Sequence, residues 1–238
     1  MRALGMMLVL PLIACSAGNA ETGEVAEARG RGPSRDYDVA GFSAVELRAA
    51  DDVEVRVGPG FSVRAQGAPE ELDLMEVVRD GDTLKIGRRN GGPRWGGKGV
   101  TVYVTMPRIA AATVAGSGDM GVDRVDGAAF SGAVAGSGDL SIGSLRVGEA
   151  SLSVSGSGDL TGSGRADRLR MQVTGSGDID ARALETGQAS VSLTGSGDVR
   201  ARVDGSATVS LVGSGTVDLG ERARCTTSKM GSGEVRCG

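Results

Sequence analysis

The tripeptide Gly-Ser-Gly recurs through the second half of the chain at a nearly constant step. Its first glycines stand at positions 116, 136, 156, 175, 195, 213 and 231, so the steps are 20, 20, 19, 20, 18 and 18 residues. Self-similarity at this period predicts stacked units, each too small to bury its own apolar face alone. In five copies the next residue is an aspartate: Asp119, Asp139, Asp159, Asp178 and Asp198. Thr216 and Glu234 stand there in the last two copies. A further copy, Gly162 to Gly164, is out of phase and reads as a turn elsewhere on its coil.

Aligning the copies on their first glycine exposes columns. Two residues before it stand Val114, Val134, Val154, Val173, Leu193 and Leu211. Four after it stand Met120, Leu140, Leu160, Ile179, Val199, Val217 and Val235. Four before it the residues are again mostly apolar, and six before it stand Ala110, Phe130, Ala150, Leu169, Ala189 and Ala207. The positions between are small or polar. Alternation with period two is the mark of a strand with one buried face. Each unit therefore reads as strand, tight turn, strand and looser return. Helices need a period near 3.6, and a four-stranded propeller blade needs about 40 residues. The expected fold class is all-β, a β-solenoid with coils of 18–20 residues. Its structural turns are Gly116, Gly118, Gly136, Gly138, Gly156, Gly158, Gly175, Gly177, Gly195 and Gly197, each pair followed by its aspartate.

Residues 37–108 are β-rich but less regular. Candidate strands run over 44–47, 53–57, 62–66, 76–79, 83–86 and 99–106. Ala49-Ala50-Asp51-Asp52-Val53 reads as a worn copy of Gly-Ser-Gly-Asp-Val. We therefore expect a single head domain over 37–238, with irregular early coils at 37–108 and regular ones at 109–238. Arg88 to Lys98, which contains Trp95, reads as a loop.

The first fourteen residues carry one arginine, Arg2, and then an apolar run, Ala3 to Ala14. That run suits a signal peptide and is too short to span a bilayer. Leu12-Ile13-Ala14-Cys15 resembles a bacterial lipobox, which implies cleavage before Cys15 and lipid on that cysteine. An ordinary cleavage after Ala20 is the competing expectation. Ser16 beside the lipidated cysteine implies the outer membrane. Residues 15–36 show no apolar period and read as a flexible tether.

Three further stretches carry a family likeness. They are Phe42-Ser43-Ala44-Val45, Asp52-Val53-Glu54-Val55 and Val102-Tyr103-Val104-Thr105-Met106-Pro107, all ahead of the Gly-Ser-Gly-Asp ladder. Together they resemble the head GIN domain family of putative autotransporter adhesins. The resemblance implies a two-sheet, right-handed parallel β-helix with the glycine turns joining its sheets. It also implies a cell-surface adhesive role, a glycan or protein ligand on that surface, and homo-oligomers such as trimers. A lipobox in place of a membrane-spanning barrel departs from a true autotransporter.

Composition bounds the chemistry. The chain has no histidine, which removes the usual neutral-pH general base and the commonest metal ligand. A formal net charge of −4 gives no basic footprint for nucleic acid. We expect no cofactor, no metal and no catalysis, because the aspartates recur once per coil as scaffold parts do. The bland reading of that column is carboxylates accepting N–H bonds in their own turns; the sharper one is a bound Ca²⁺. Cys225 and Cys237 continue inward columns of the last coil. In an exported, oxidising setting they are expected to form a disulfide that caps the open solenoid end.

Overall fold

A computed structural model of the chain describes residues 23–89 and 99–238. Cys15, expected to carry lipid, the apolar run before it and Trp95 lie outside the described residues.

The described chain is an all-β solenoid. Its strands are β1 (Glu24–Val25), β2 (Ala28–Arg29), β3 (Ser34–Tyr37), β4 (Ala44–Leu47), β5 (Asp52–Val57) and β6 (Ser62–Gln66). After the short helix α1 (Pro69–Leu72) come β7 (Met75–Asp80), β8 (Thr83–Arg88), β9 (Thr101–Met106), β10 (Ala111–Val114) and β11 (Met120–Val122). The regular coils hold β12 (Val125–Val134), β13 (Leu140–Gly156), β14 (Leu160–Gly175), β15 (Ile179–Gly195) and β16 (Asp198–Gly213). The last coil holds β17 (Thr216–Asp218), β18 (Arg224–Met230) and β19 (Glu234–Arg236).

From β10 onward every pairing is parallel and follows the sequence alignment. Val134 lies against Val154, Val154 against Val173, Val173 against Leu193 and Leu193 against Leu211. These residues are each at most 1 % exposed, so the column of the alignment is a physical column in the core. Similar apolar side chains stacked at the strand spacing of about 4.8 Å bury one another, which no single coil could do. Ala110 departs from its column. It is exposed, and Ile109 is buried in its stead. The chain reaches this point through Pro107, which lacks an N–H for the ladder, and the in-out phase restarts after it.

The out-of-phase copy is a bend in the return arc. Gly164 has φ +118°, and an added Cβ there would lie 2.1 Å from the Leu145 carbonyl oxygen. The pairing register shifts at the same place, between Thr161 and Ser163.

The early region differs from a run of worn coils. β4 and β5 stack directly under β10 and β11, as Ala44↔Ala111 and Val53↔Met120 show. The coil formed by β8 and β9 follows in sequence yet lies on the far side of β4 and β5. Chain order and stacking order therefore part company between residues 58 and 108. The outer edges of β8 and β9 are covered by the antiparallel strands β7 and β6. This closes an end whose unpaired N–H and C=O groups would otherwise recruit other strands.

The expected tether is also corrected from residue 23 on. β1 pairs with β7, β2 with β3 and β3 with β6, all antiparallel. Strands of two residues carry too little alternation to register as apolar periodicity. They are held by backbone bonds and by pairs such as Arg35–Asp73 at 2.8 Å.

The opposite end is finished differently. Cys225 and Cys237 pack against the core and their sulphurs are bonded, with Cα atoms 6.1 Å apart. The core columns continue in this coil as Thr227 and Lys229, which lie against Val209 and Leu211. A charged residue in an inward column of an end strand discourages further stacking. A link spanning 12 residues contributes about 3 kcal/mol in the chain-entropy model. Replacing both cysteines by serine should therefore free β18 and β19 to fray, read as amide exchange rising there first. Unchanged protection in the last coil would rule that role out.

Candidate functional site

The corner that carries Gly-Ser-Gly-Asp is the most regular polar feature of the molecule. Two constraints make it. At the second glycine there is no room: an added Cβ at Gly138, Gly158 or Gly197 would lie 2.0–2.1 Å from the carbonyl oxygen of the glycine one coil below. At the first glycine the clash is similar, and from Gly156 onward φ is also positive, as in Gly156 at +134° and Gly195 at +136°. Glycine's freedom of φ thus explains the first position in the later coils, and close approach of coils explains both.

The carbonyls of Gly116, Gly136 and Gly156 each then accept twice. Ser157 and Gly158 both donate N–H bonds to Gly136 O, at 3.0 and 3.1 Å. The aspartate completes the corner. Asp139 N–H donates to Asp119 Oδ1 at 2.9 Å, Asp159 N–H to Asp139 at 2.8 Å and Asp178 N–H to Asp159 at 2.9 Å. Asp198 N–H donates to Asp178 at 2.8 Å, and Thr216 N–H to Asp198 at 2.9 Å. This corrects the expectation of bonds within one turn: each carboxylate serves the coil above it. The corner takes the aspartate N–H out of the strand ladder, and the carboxylate below supplies the missing acceptor.

The energetics favour this arrangement. Neighbouring carboxylates about 5 Å apart repel by about 1 kcal/mol in water. A hydrogen bond to a charged acceptor contributes about 1.5–3 kcal/mol. The ladder is therefore net stabilising without a cation. Near its upper end Arg200 adds a counter-charge, 2.5 Å from Asp198 and 3.6 Å from Asp178. One coil face away, a hydrogen bond from Arg182 holds the Asp180 carboxyl below the usual carboxylate range. Among the described residues no three Asp, Glu or Cys side chains converge as a metal site would require.

The worn copy fits the same register. Ala49 and Asp51 lie under Gly116 and Gly118, and Asp119 N–H donates to Asp52 Oδ1 at 3.3 Å. Asp51 takes the place of the second glycine and is 1 % exposed. Its carboxylate accepts Val100 N–H at 3.1 Å and Arg88 Nε at 2.7 Å, with a second bond from Arg88 Nη2. Arg88 also donates to the buried Glu71 of α1. The Asp51 and Glu71 hydrogen bonds hold its guanidinium pKa above the ordinary arginine value. The sequence alignment found the worn turn but not this triad. Its one visible signal was an aspartate where a glycine belongs.

The flat outer faces carry Ser, Thr and Gln, while the return arcs are rich in arginine. Arg146 lies beside Arg165, and Arg168 and Arg170 both contact Glu149, at 3.4 and 2.6 Å.

Comparison with known proteins agrees with this architecture. A putative adhesin from Bacteroides fragilis superposes with a TM-score of 0.77 at 19% identity, over 86% of this chain and 95% of its own. A putative adhesin from Parabacteroides merdae gives 0.69 at 13% identity, over 88% and 97%. A putative lipid binding protein from Parabacteroides distasonis gives 0.68 at 18% identity, over 89% and 98%. At these identities the likeness is one of fold. Among curated proteins no sequence matches the chain. Residues 41–222 match the family described as "Putative auto-transporter adhesin, head GIN domain", and the chain belongs to that family.

Proposed function

We propose that this chain is a lipid-anchored protein of the bacterial cell envelope whose solenoid head binds a surface ligand without catalysis. The observation that carries this reading is the use made of the aspartate column. Its carboxylates are engaged in coil-to-coil hydrogen bonds, as a scaffold requires, so the recurring acid groups are structural. What the scaffold displays is a long, flat, polar surface with shallow grooves. Such a surface suits adhesion to an extended partner better than enclosure of a small substrate. Membership of an adhesin head family supports the same direction. The anchor is Cys15, lipidated in the outer membrane, and the ligand is a component of a cell or envelope surface.

Two measurements test this reading. Cells expressing the chain should incorporate labelled palmitate into it, and Cys15→Ala should abolish the label. Beads coated with residues 23–238 should then adhere to bacterial or host cells in a saturable way. Palmitate label retained in the Cys15→Ala variant would remove the anchor, and beads that adhere no better than uncoated ones would remove the adhesive role.

A further inference from the structure

The repeat shortens near its end, from a 20-residue step at Gly195 to an 18-residue step at Gly213. β15 and β16 absorb the difference unevenly. Between the pairs Ala181↔Ala201 and Glu185↔Arg202, β15 carries three unmatched residues and β16 none. Between Thr186↔Val203 and Gln188↔Ser206, β15 carries one and β16 two. Beside this mismatch lie two shallow grooves of about 280 and 270 Å³, which share Arg165 and Gly187. The first adds Asp167, Arg168 and Gln188. The second adds Glu185, Arg202, Asp204 and Arg222.

The four groove arginines divide into two kinds, and Arg168 is paired with Glu149 at 3.4 Å. Arg222 is paired with Asp204 at 3.0 Å. Arg165 and Arg202 are exposed and form no ion pair among the described residues, although Glu185 stands between them in the strand register. Arg165 also sits directly against Arg146 on the neighbouring strand. Like charges facing each other across strands are destabilising. Asp126 on the far side of Arg146 and Glu185 on the far side of Arg165 offset that repulsion, so the stack is near balance and the two guanidinium forks stay open to an outside anion.

We propose that these grooves bind the sugar-acid units of an anionic polysaccharide. A guanidinium presents a planar fork that matches a carboxylate bidentately. Glu185, Asp167 and Gln188 beside it are acceptors suited to hydroxyl groups. That mixture fits a ring bearing one carboxylate and several hydroxyls. It opposes densely charged polymers such as polyphosphate or nucleic acid, which the neighbouring carboxylates repel. Shallow grooves bind one unit weakly, so affinity grows with the number of units engaged. The inference rests on the adhesive reading above and specifies its ligand.

The test titrates the whole chain with tetragalacturonate, its fully methyl-esterified form and inorganic polyphosphate. The acid tetramer should bind, the ester should not, and polyphosphate should bind more weakly than the acid. The double variant Arg165→Ala, Arg202→Ala should weaken the acid by at least about tenfold, since two bidentate contacts are lost. Its melting temperature should stay unchanged, because both side chains are exposed. No binding of the acid, equal binding of the ester, tighter binding of polyphosphate or an unaffected double variant each overturns the proposal. Bead adhesion separates the two readings. Wild-type beads that adhere while the tetramer fails to bind discard the groove and keep the adhesive role. A tetramer that binds to a protein whose beads do not adhere does the reverse.

Discussion

Gly158→Ala should destabilise the protein by more than about 4 kcal/mol, the range reached only by severe backbone or core damage. The new Cβ would lie 2.0 Å from Gly138 O and 3.0 Å from the carbonyl carbons of Gly138 and Ser137. Those contacts are backbone, so no rotamer change relieves them. Relief requires the coils to part, which breaks the bonds of Ser157 and Gly158 to Gly136 O and of Asp159 N–H to Asp139. Gly127→Ala is the control. Its Cβ would meet nothing within 4 Å, and the change should stay within about 0.5 kcal/mol. Urea unfolding of the two variants side by side reads the difference. A Gly158→Ala protein as stable as the Gly127→Ala protein would contradict the close-approach account.

Arg88→Met should cost about 3–5 kcal/mol, the usual consequence of leaving buried charge uncompensated. Asp51 is 1 % exposed and Glu71 is 4 % exposed, and Arg88 is the cation that both contact. Adding Asp51→Asn and Glu71→Gln to Arg88→Met should restore much of the loss, because the neutral amides no longer need a counter-ion. Thermal unfolding of the single and triple variants checks this. A triple variant less stable than the single one would show that shape, and not charge, governs the site. The effect should be felt first at the capped end, since Arg88 ties β8 to α1 and to the turn ahead of β5.

Much of the fold is legible in the spacing of one tripeptide. Once the copies are aligned, Val154 and Leu160 must point inward and Ser153 outward, because parallel in-register coils repeat the same environment at each step. The last two cysteines become readable the same way, as the continuation of columns. The capping region resists such reading for a physical reason. Alternation in Thr83–Arg88 identifies a strand but says nothing about which edge it will join, so the reversal of stacking order is invisible. The two residues of β1 and the four of α1 are too short for any period. The direction of the aspartate bonds is also hidden. A carboxylate after a glycine turn can cap its own turn or the next coil's, and only the stacked backbone selects between them. At the Arg165 groove the shortening from 20 to 18 residues is plain in the spacing. Where the surplus residues go is decided by the pairing of β15 with β16.

The corner ladder and the arginine grooves divide the molecule's charged groups by role. On the glycine side, acid groups bind backbone and hold coils together. On the return arcs, Arg165 and Arg202, which form no ion pair among the described residues, are left for solvent or ligand. Cohesion of the coils at this corner therefore depends on the aspartate column as a stacking device. Amide exchange in an Asp139→Ala variant tests it most directly. In the wild-type protein the N–H groups of Asp139, Asp159, Asp178 and Asp198 should all be protected, although their corner is at the surface. In the variant, Asp159 N–H should exchange markedly faster, while Asp198 N–H, which bonds to Asp178, should keep its protection. Equal exchange of Asp159 N–H in the two proteins would contradict the account.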